Sequence, residues 1–219
     1  MKIYSTSQVL FFLGMLNCFQ LYGQFFKDYT IKKTKCNKNE CDGFRINIFD
    51  NKNSIFLFDT SNMSYHHSFN ISSTTRIMII KELISTFEND TSTCCIKVCN
   101  YSKTKKENPI SSNYSLQIES LYIINLLVFG DKAVYFAPFP VLIKGDTLEV
   151  NNDKSEILNV YETYKDWLAI AIKNRFSSFT FPLLNTRYKW YLGKGDIKTI
   201  KYSGMAQSKL SLFTGWCKE

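Results

Sequence analysis

The chain has 219 residues, of which 27 are Lys or Arg and 19 are Asp or Glu, giving a formal net charge of +8 at pH 7. Hydrophobic residues make up 45% and aromatics 16%, with only four prolines and nine glycines. This excludes a disordered or collagen-like chain and fits one domain that buries a core, or two small ones. The basic balance suits an acidic partner, and no nucleic-acid-binding module is present.

At the start, Lys2 precedes an apolar run from Val9 to Leu16, and Leu21 and Gly23 occupy the −3 and −1 positions of a cleavage site. A positive residue, a short apolar core and a small residue before the cut predict a signal peptide over 1–23, with a secreted domain over 24–219. The run falls short of the roughly 20 apolar residues that span a bilayer. The later apolar stretches Leu121–Phe129 and Ala133–Ile143 have the length of buried strands, so no membrane span is expected.

Six cysteines follow the cleavage point: Cys36, Cys41, Cys94, Cys95, Cys99 and Cys217. An even number in an exported chain predicts disulfides, whose pairing the sequence leaves open. Adjacent Cys94 and Cys95 are expected on opposite faces of a strand, reaching different partners. Their spacings do not match zinc ligands.

Gly43–Asp50 alternates with Phe44, Ile46 and Ile48 on one face, and Ser54–Asp59 follows after Asn51-Lys52-Asn53, which predicts a hairpin. Five Asn-x-Ser/Thr sequons come next, at Asn62, Asn70, Asn89, Asn100 and Asn113. All lie within one third of the chain, which would make that third a sugar-covered surface and move any partner-binding face elsewhere. His66 and His67, the only histidines, sit among them and read as surface residues. Ile80–Phe87 predicts a short helix, although Arg76–Ile80 reads equally as strand. Cys95–Tyr101 alternates as a strand, and the polar stretch 101–113 marks a possible subdomain break. Tyr114, Leu116 and Ile118 alternate with polar residues before the pattern turns wholly apolar, as in a strand entering a core.

One amphipathic helix is predicted near 154–175. Asp153 and Glu156 form a capping-box pattern, and Ile157, Val160, Tyr161, Tyr164, Trp167, Leu168 and Ala171 recur at helical spacing. Further on, Arg187–Leu192 and Ile197–Tyr202 flank Gly193-Lys194-Gly195-Asp196, predicting a second hairpin. Tyr188, Trp190 and Leu192 should face the core, while Arg187, Lys189 and Tyr191 face outward. Lys209–Phe213 could add a strand before Cys217. The expected fold is therefore mainly β, an antiparallel sandwich or barrel with the single helix near 154–175, linked by disulfides.

Motifs for chemistry are missing. There is no HExxH, no GxSxG and no glycine-rich phosphate loop, and Glu119, Asp131, Glu149 and Asp166 are acids without shown proximity. No cofactor, metal or nucleic acid is expected. The sequence favours a secreted, N-glycosylated, non-enzymatic protein that binds an extracellular protein or acidic glycan. Arg187, Lys189, Tyr191 and Lys194 are its candidate contacts, because Tyr and Arg are enriched at binding hot spots. One alternative is a carrier of a small apolar ligand. Strands followed by a helix resemble the lipocalin layout, although the glycine-x-tryptophan signature of that family is missing. The other is a secreted hydrolase without a recognisable motif.

Overall fold

The computed structural model describes residues 28–36, 42–51, 56–59, 66–67, 72–96, 98, 109–176, 178–193 and 200–201. The first sheet is an antiparallel meander in the order β1 (Tyr29–Lys35), β2 (Phe44–Asp50), β3 (Phe56–Asp59) and β4 (His66–His67). The hairpin expected at 43–59 is β2 with β3, with a register shift between Ile48 and Phe49. Ile46 and Ile48 are fully buried, as their alternation requires. The turn residues Lys52 and Asn53 lie outside the described residues. Cys36, just beyond β1, is bridged to Cys95 across a sequence separation of 59.

Three long helices accompany this sheet, two of them packed against it, so the fold is not clearly mainly β. Helix α1 (Ser73–Phe87) starts at Ser72, whose hydroxyl accepts the Thr75 amide at 3.0 Å. It takes in both the predicted helix and the ambiguous Arg76–Ile80, and buries Ile79, Ile80, Leu83, Ile84 and Phe87. Helix α2 (Leu116–Phe129) corrects the expectation of strands over 114–129. All of its residues are buried, so its sequence carries no 3.6-residue stripe, and an all-round apolar run cannot be told from a buried strand by period. Helix α3 (Lys154–Lys173) matches the predicted amphipathic helix and buries the expected stripe from Ile157 to Ala171. Asp153 caps it by accepting the Ser155 and Glu156 amides at 3.0 and 3.1 Å. The reciprocal half of the capping box is not made, because Glu156 turns to other partners.

Several polar groups on the buried α2 find partners on its neighbours. Tyr161 donates to the Gln117 carbonyl at 3.0 Å and pairs with the Ser120 hydroxyl, and Tyr164 donates to Asn125 Oδ1 at 2.7 Å. These bonds fix the rotation of α3 on α2, since turning it would leave buried polar groups unpaired.

A second sheet has the order β6-β5-β8, with β5 at Leu142–Lys144, β6 at Leu148–Glu149 and β8 at Tyr188–Trp190. Among the described residues the predicted hairpin of 187–192 with 197–202 is not seen. Strand β8 pairs with β5, Leu142 opposite Trp190, while β9 (Ile200–Lys201) pairs with β7 (Ser178–Phe179). Gly193 ends β8 at a close approach to the Phe136 carbonyl, where an added Cβ would come within 2.0 Å of the oxygen. Tyr188 and Trp190 are buried as expected, but Leu192, at positive φ beyond the strand, is 51% exposed. The expected strand at 209–213 lies outside the described residues. One continuous cluster of buried side chains runs from Tyr29 to Trp190 through all three helices. Among the described residues no helix is long and apolar enough to cross a membrane.

Candidate functional site

A concavity lies beside β8. Its strand alternation sends Tyr188 and Trp190 inward and leaves Arg187 and Lys189 at the surface. Trp190 is fixed by donating Nε1–H to the Tyr164 hydroxyl at 3.2 Å and by edge-on contact with Tyr122, centroids 5.8 Å apart. The chain reaches β8 through a tight loop. Thr186 donates to the Leu183 carbonyl at 2.8 Å and accepts the Tyr188 amide at 3.1 Å, with Asn185 at φ 64°. Phe181, at the start of that loop, stacks on Phe136 with centroids 4.7 Å apart. A cavity of about 330 Å³ remains, with Phe136, Phe181, Leu183 and Trp190 in its lining and Asp146, Arg187 and Lys189 among its polar residues.

The charges beside this cavity are paired. The Glu156 carboxylate accepts Lys144 Nζ at 2.6 Å, Arg187 Nη2 at 3.2 Å and the Tyr188 hydroxyl. Hydrogen bonds from Lys144, then from Tyr188, hold Glu156 below the usual carboxylate range. Arg187 also donates to the Tyr188 hydroxyl at 2.9 Å and packs over its ring at 5.1 Å. Lys189 makes a looser pair with Asp146 at 3.6 Å, on the exposed β5–β6 turn. Tyr191 stands edge-on to Phe139. The expected outward face of Arg187, Lys189 and Tyr191 is thus brought together on one strand, but its two cations each have an acidic partner. Lys194 lies outside the described residues. Sequence reading gave Glu156 only a capping role and missed Asp146, because their place beside β8 depends on β5 pairing with a strand more than forty residues away.

The other predicted positions divide. Asn89, in the turn after α1, and Asn113, before α2, are exposed; Asn62, Asn70 and Asn100 lie outside the described residues. Cys36 and Cys95 form the bridge, Cys94 is a free buried thiol, and Cys41, Cys99 and Cys217 lie outside the described residues. Among the acids considered for hydrolysis, Glu149 accepts the Ile110 and Ser111 amides at 2.6 and 2.8 Å, and Asp166 is exposed on α3. These are unlike settings rather than two walls of one cleft.

Glu119 is a different case. It is completely buried on α2, accepts the Ile46 amide at 3.2 Å and shares a hydrogen bond with the Cys94 thiol. Burial pushes its pKa up to about 8, against the opposing pull of Cys94, the Ile46 amide and the Arg45 charge. Burial, then the neighbouring Glu119, pushes the Cys94 thiol well above its ordinary value. A thiol beside an acid and an arginine has the parts of a nucleophilic centre. Here the burial reverses the chemistry, leaving a neutral thiol and a neutral acid at neutral pH. The pair is buried in the core. Among the described residues no cluster of three or more His, Cys, Asp or Glu could hold a metal ion. No family model matches the chain, and no curated protein or solved structure does either.

Proposed function

We propose that this is an exported, N-glycosylated binding protein that performs no chemistry, and that it receives an apolar side chain of a protein partner in the cavity beside β8. The observation that carries this reading is the cavity itself: about 330 Å³, with Phe136, Phe181, Leu183 and Trp190 in its lining beside polar and charged residues. Ligand sites combine apolar walls with a few placed polar groups in this way, and this one is at the small end of their range. Interface anchors are typically one aromatic or aliphatic group in such a pocket. The Cys36–Cys95 bridge and the exposed sequon residues Asn89 and Asn113 are compatible with an extracellular setting.

Pairing of the cations alters how the partner would be read. Arg187 is engaged with Glu156 and Tyr188, so it shapes the rim instead of offering a free charge. Lys189 and Asp146, being loosely paired and exposed, are the groups that a partner's acid or base would displace. An acidic residue next to the partner's anchor would therefore meet Lys189.

A small apolar ligand is the second reading, favoured by the same aromatic residues in the lining. The test separates the two. Full-length protein recovered from culture medium is stripped of N-glycans and weighed under native and denaturing conditions. In parallel, a photo-crosslinker is placed at Lys189 or, as a control on the far side of α3, at exposed Ile170. A discrete protein adduct from position 189 alone supports the proposal. Extra mass that vanishes on denaturation makes the carrier reading correct. Identical adducts from both positions, with no bound mass, remove this cavity from consideration.

A further inference from the structure

Asn113 opens the sequon Asn113-Tyr114-Ser115 and stands exposed at a second cavity, of about 220 Å³. The segment 91–93, the start of α2 and the turn before α3 enclose it. Thr91, Thr93, Asn152 and Lys154 line it, all exposed, and none uses its side chain to hydrogen-bond another described residue. In its wall, Ser115 Oγ is buried without a hydrogen-bond partner among the described residues. Ser115 also occupies the N-cap of α2 without making a side-chain cap. The idle hydroxyls, amide and ammonium in this wall leave donors and acceptors free for a polar occupant.

The occupant that the sequence can supply is a sugar. A glycan on Asn113 would be tethered at the mouth of the cavity, and tethering gives so high an effective concentration that even weak contacts are made. We infer that the first N-acetylglucosamine on Asn113 lies in this cavity, held by Thr93, Asn152 and Lys154, and clamps the start of α2 to the turn that starts α3. This rests on the exported-glycoprotein reading given above. Attachment joins Asn113 Nδ2 to C1 of the sugar, with loss of one amide proton and departure of a lipid-linked pyrophosphate donor. Asn89 provides an internal control, because it is equally exposed but lines neither cavity.

A held sugar is hidden from enzymes that trim or remove it. The test uses the full chain secreted from cultured animal cells, with glycopeptide mass spectrometry at each site and timed N-glycanase digestion of the native protein. The expected result is an under-trimmed, high-mannose glycan at Asn113, released about tenfold more slowly than the glycan at Asn89, as one or two net hydrogen bonds would give. The variant Thr93→Ala/Asn152→Ala/Lys154→Ala keeps both sequons and should bring release at Asn113 up to the Asn89 rate. Equal trimming and release at the two sites overturns the clamp, as does slow release that the triple variant leaves unchanged. Sugar at Asn89 with Asn113 bare overturns the clamp alone. No sugar at any site overturns the exported-glycoprotein reading, and the clamp with it.

Discussion

Tyr164 both donates to Asn125 Oδ1 and accepts from Trp190 Nε1, so one hydroxyl joins α2, α3 and β8 inside the core. Replacing it with Phe deletes one atom and strands two buried groups. Unpaired buried polar groups cost about 1–3 kcal/mol each, so Tyr164→Phe should lower unfolding free energy by roughly 2–4 kcal/mol in a urea melt. Asn125→Leu combined with Tyr164→Phe should cost less than the sum of the single changes, because the leucine removes the stranded acceptor. Additive losses would mean the three groups do not act together.

Glu119 gives a second residue-scale expectation, and its sign follows from where the proton resides. In the folded chain Glu119 keeps its proton up to about pH 8, while an unfolded glutamate releases it near its ordinary value of 4.5. Between those values the folded state holds the extra proton, so stability falls as pH rises through the window. The slope for one proton is about 1.4 kcal/mol per pH unit, levelling off above the folded value. Glu119→Gln imitates the protonated acid and should flatten the melting temperature over this range. A wild-type profile already flat from pH 5 to pH 8 would show that the acid is not buried.

Among the elements, how readable each was from sequence depended on the locality of what fixes it. Helix α3 was legible because one face is wet: Glu162 and Asp166 interrupt the apolar residues at the right spacing, and Asp153 announces the start. Helix α2 was not, because burial on every side erased the period that would have distinguished it from a strand. Its length was the remaining clue, since fourteen unbroken residues exceed an ordinary strand. Strand β8 was recognised as a strand, with Tyr188 and Trp190 correctly inward, yet its pairing with β5 was not foreseen. Nearby 197–202 had the right composition, whereas β5 was distant and short. The candidate cavity inherits that limit: Trp190 and Lys189 could be named beforehand, but Asp146 and the place of Glu156 beside β8 could not.

Gly193 exposes the same point in a testable form. In a hairpin turn its value would lie in a positive φ, and substitution would strain the backbone. Here it serves a close approach, with Phe136 O only 2.0 Å from an added Cβ. Gly145 is the reverse case, at φ +63° with nothing within 4 Å of its Cβ position. Gly145→Ala should therefore cost only about 1–2 kcal/mol, the strain of a left-handed residue. Gly193→Ala must displace the chain around Phe136 and should cost more, in the range of about 2–4 kcal/mol for a clash that backbone must absorb. Thermal melts of the two variants rank the effects, and the opposite order would contradict the packing of 193 on 136.

Taken as a whole, the molecule has a single buried cluster from Tyr29 to Trp190, so its parts should unfold together. Cys94 and the bridge next to it can measure this. The bridge closes a loop containing β2 to β4 and α1, and in the chain-entropy view a loop of this length stabilises by about 4 kcal/mol. Cys36→Ser/Cys95→Ser should lose much of that in a urea melt. Cys94, buried to 1% exposure with its thiol well above the ordinary pKa, should resist alkylation until the cluster opens. Peptide mapping of the label on Cys94 alone would then follow the global equilibrium, since exchange through complete opening tracks unfolding free energy. In the double variant the Cys94 labelling rate should rise by the factor that its lost stability dictates. If Cys94 instead labels quickly in the intact protein while its melt is unchanged, the segment 93–96 opens locally. The sheet and helices would then not share one cooperative core.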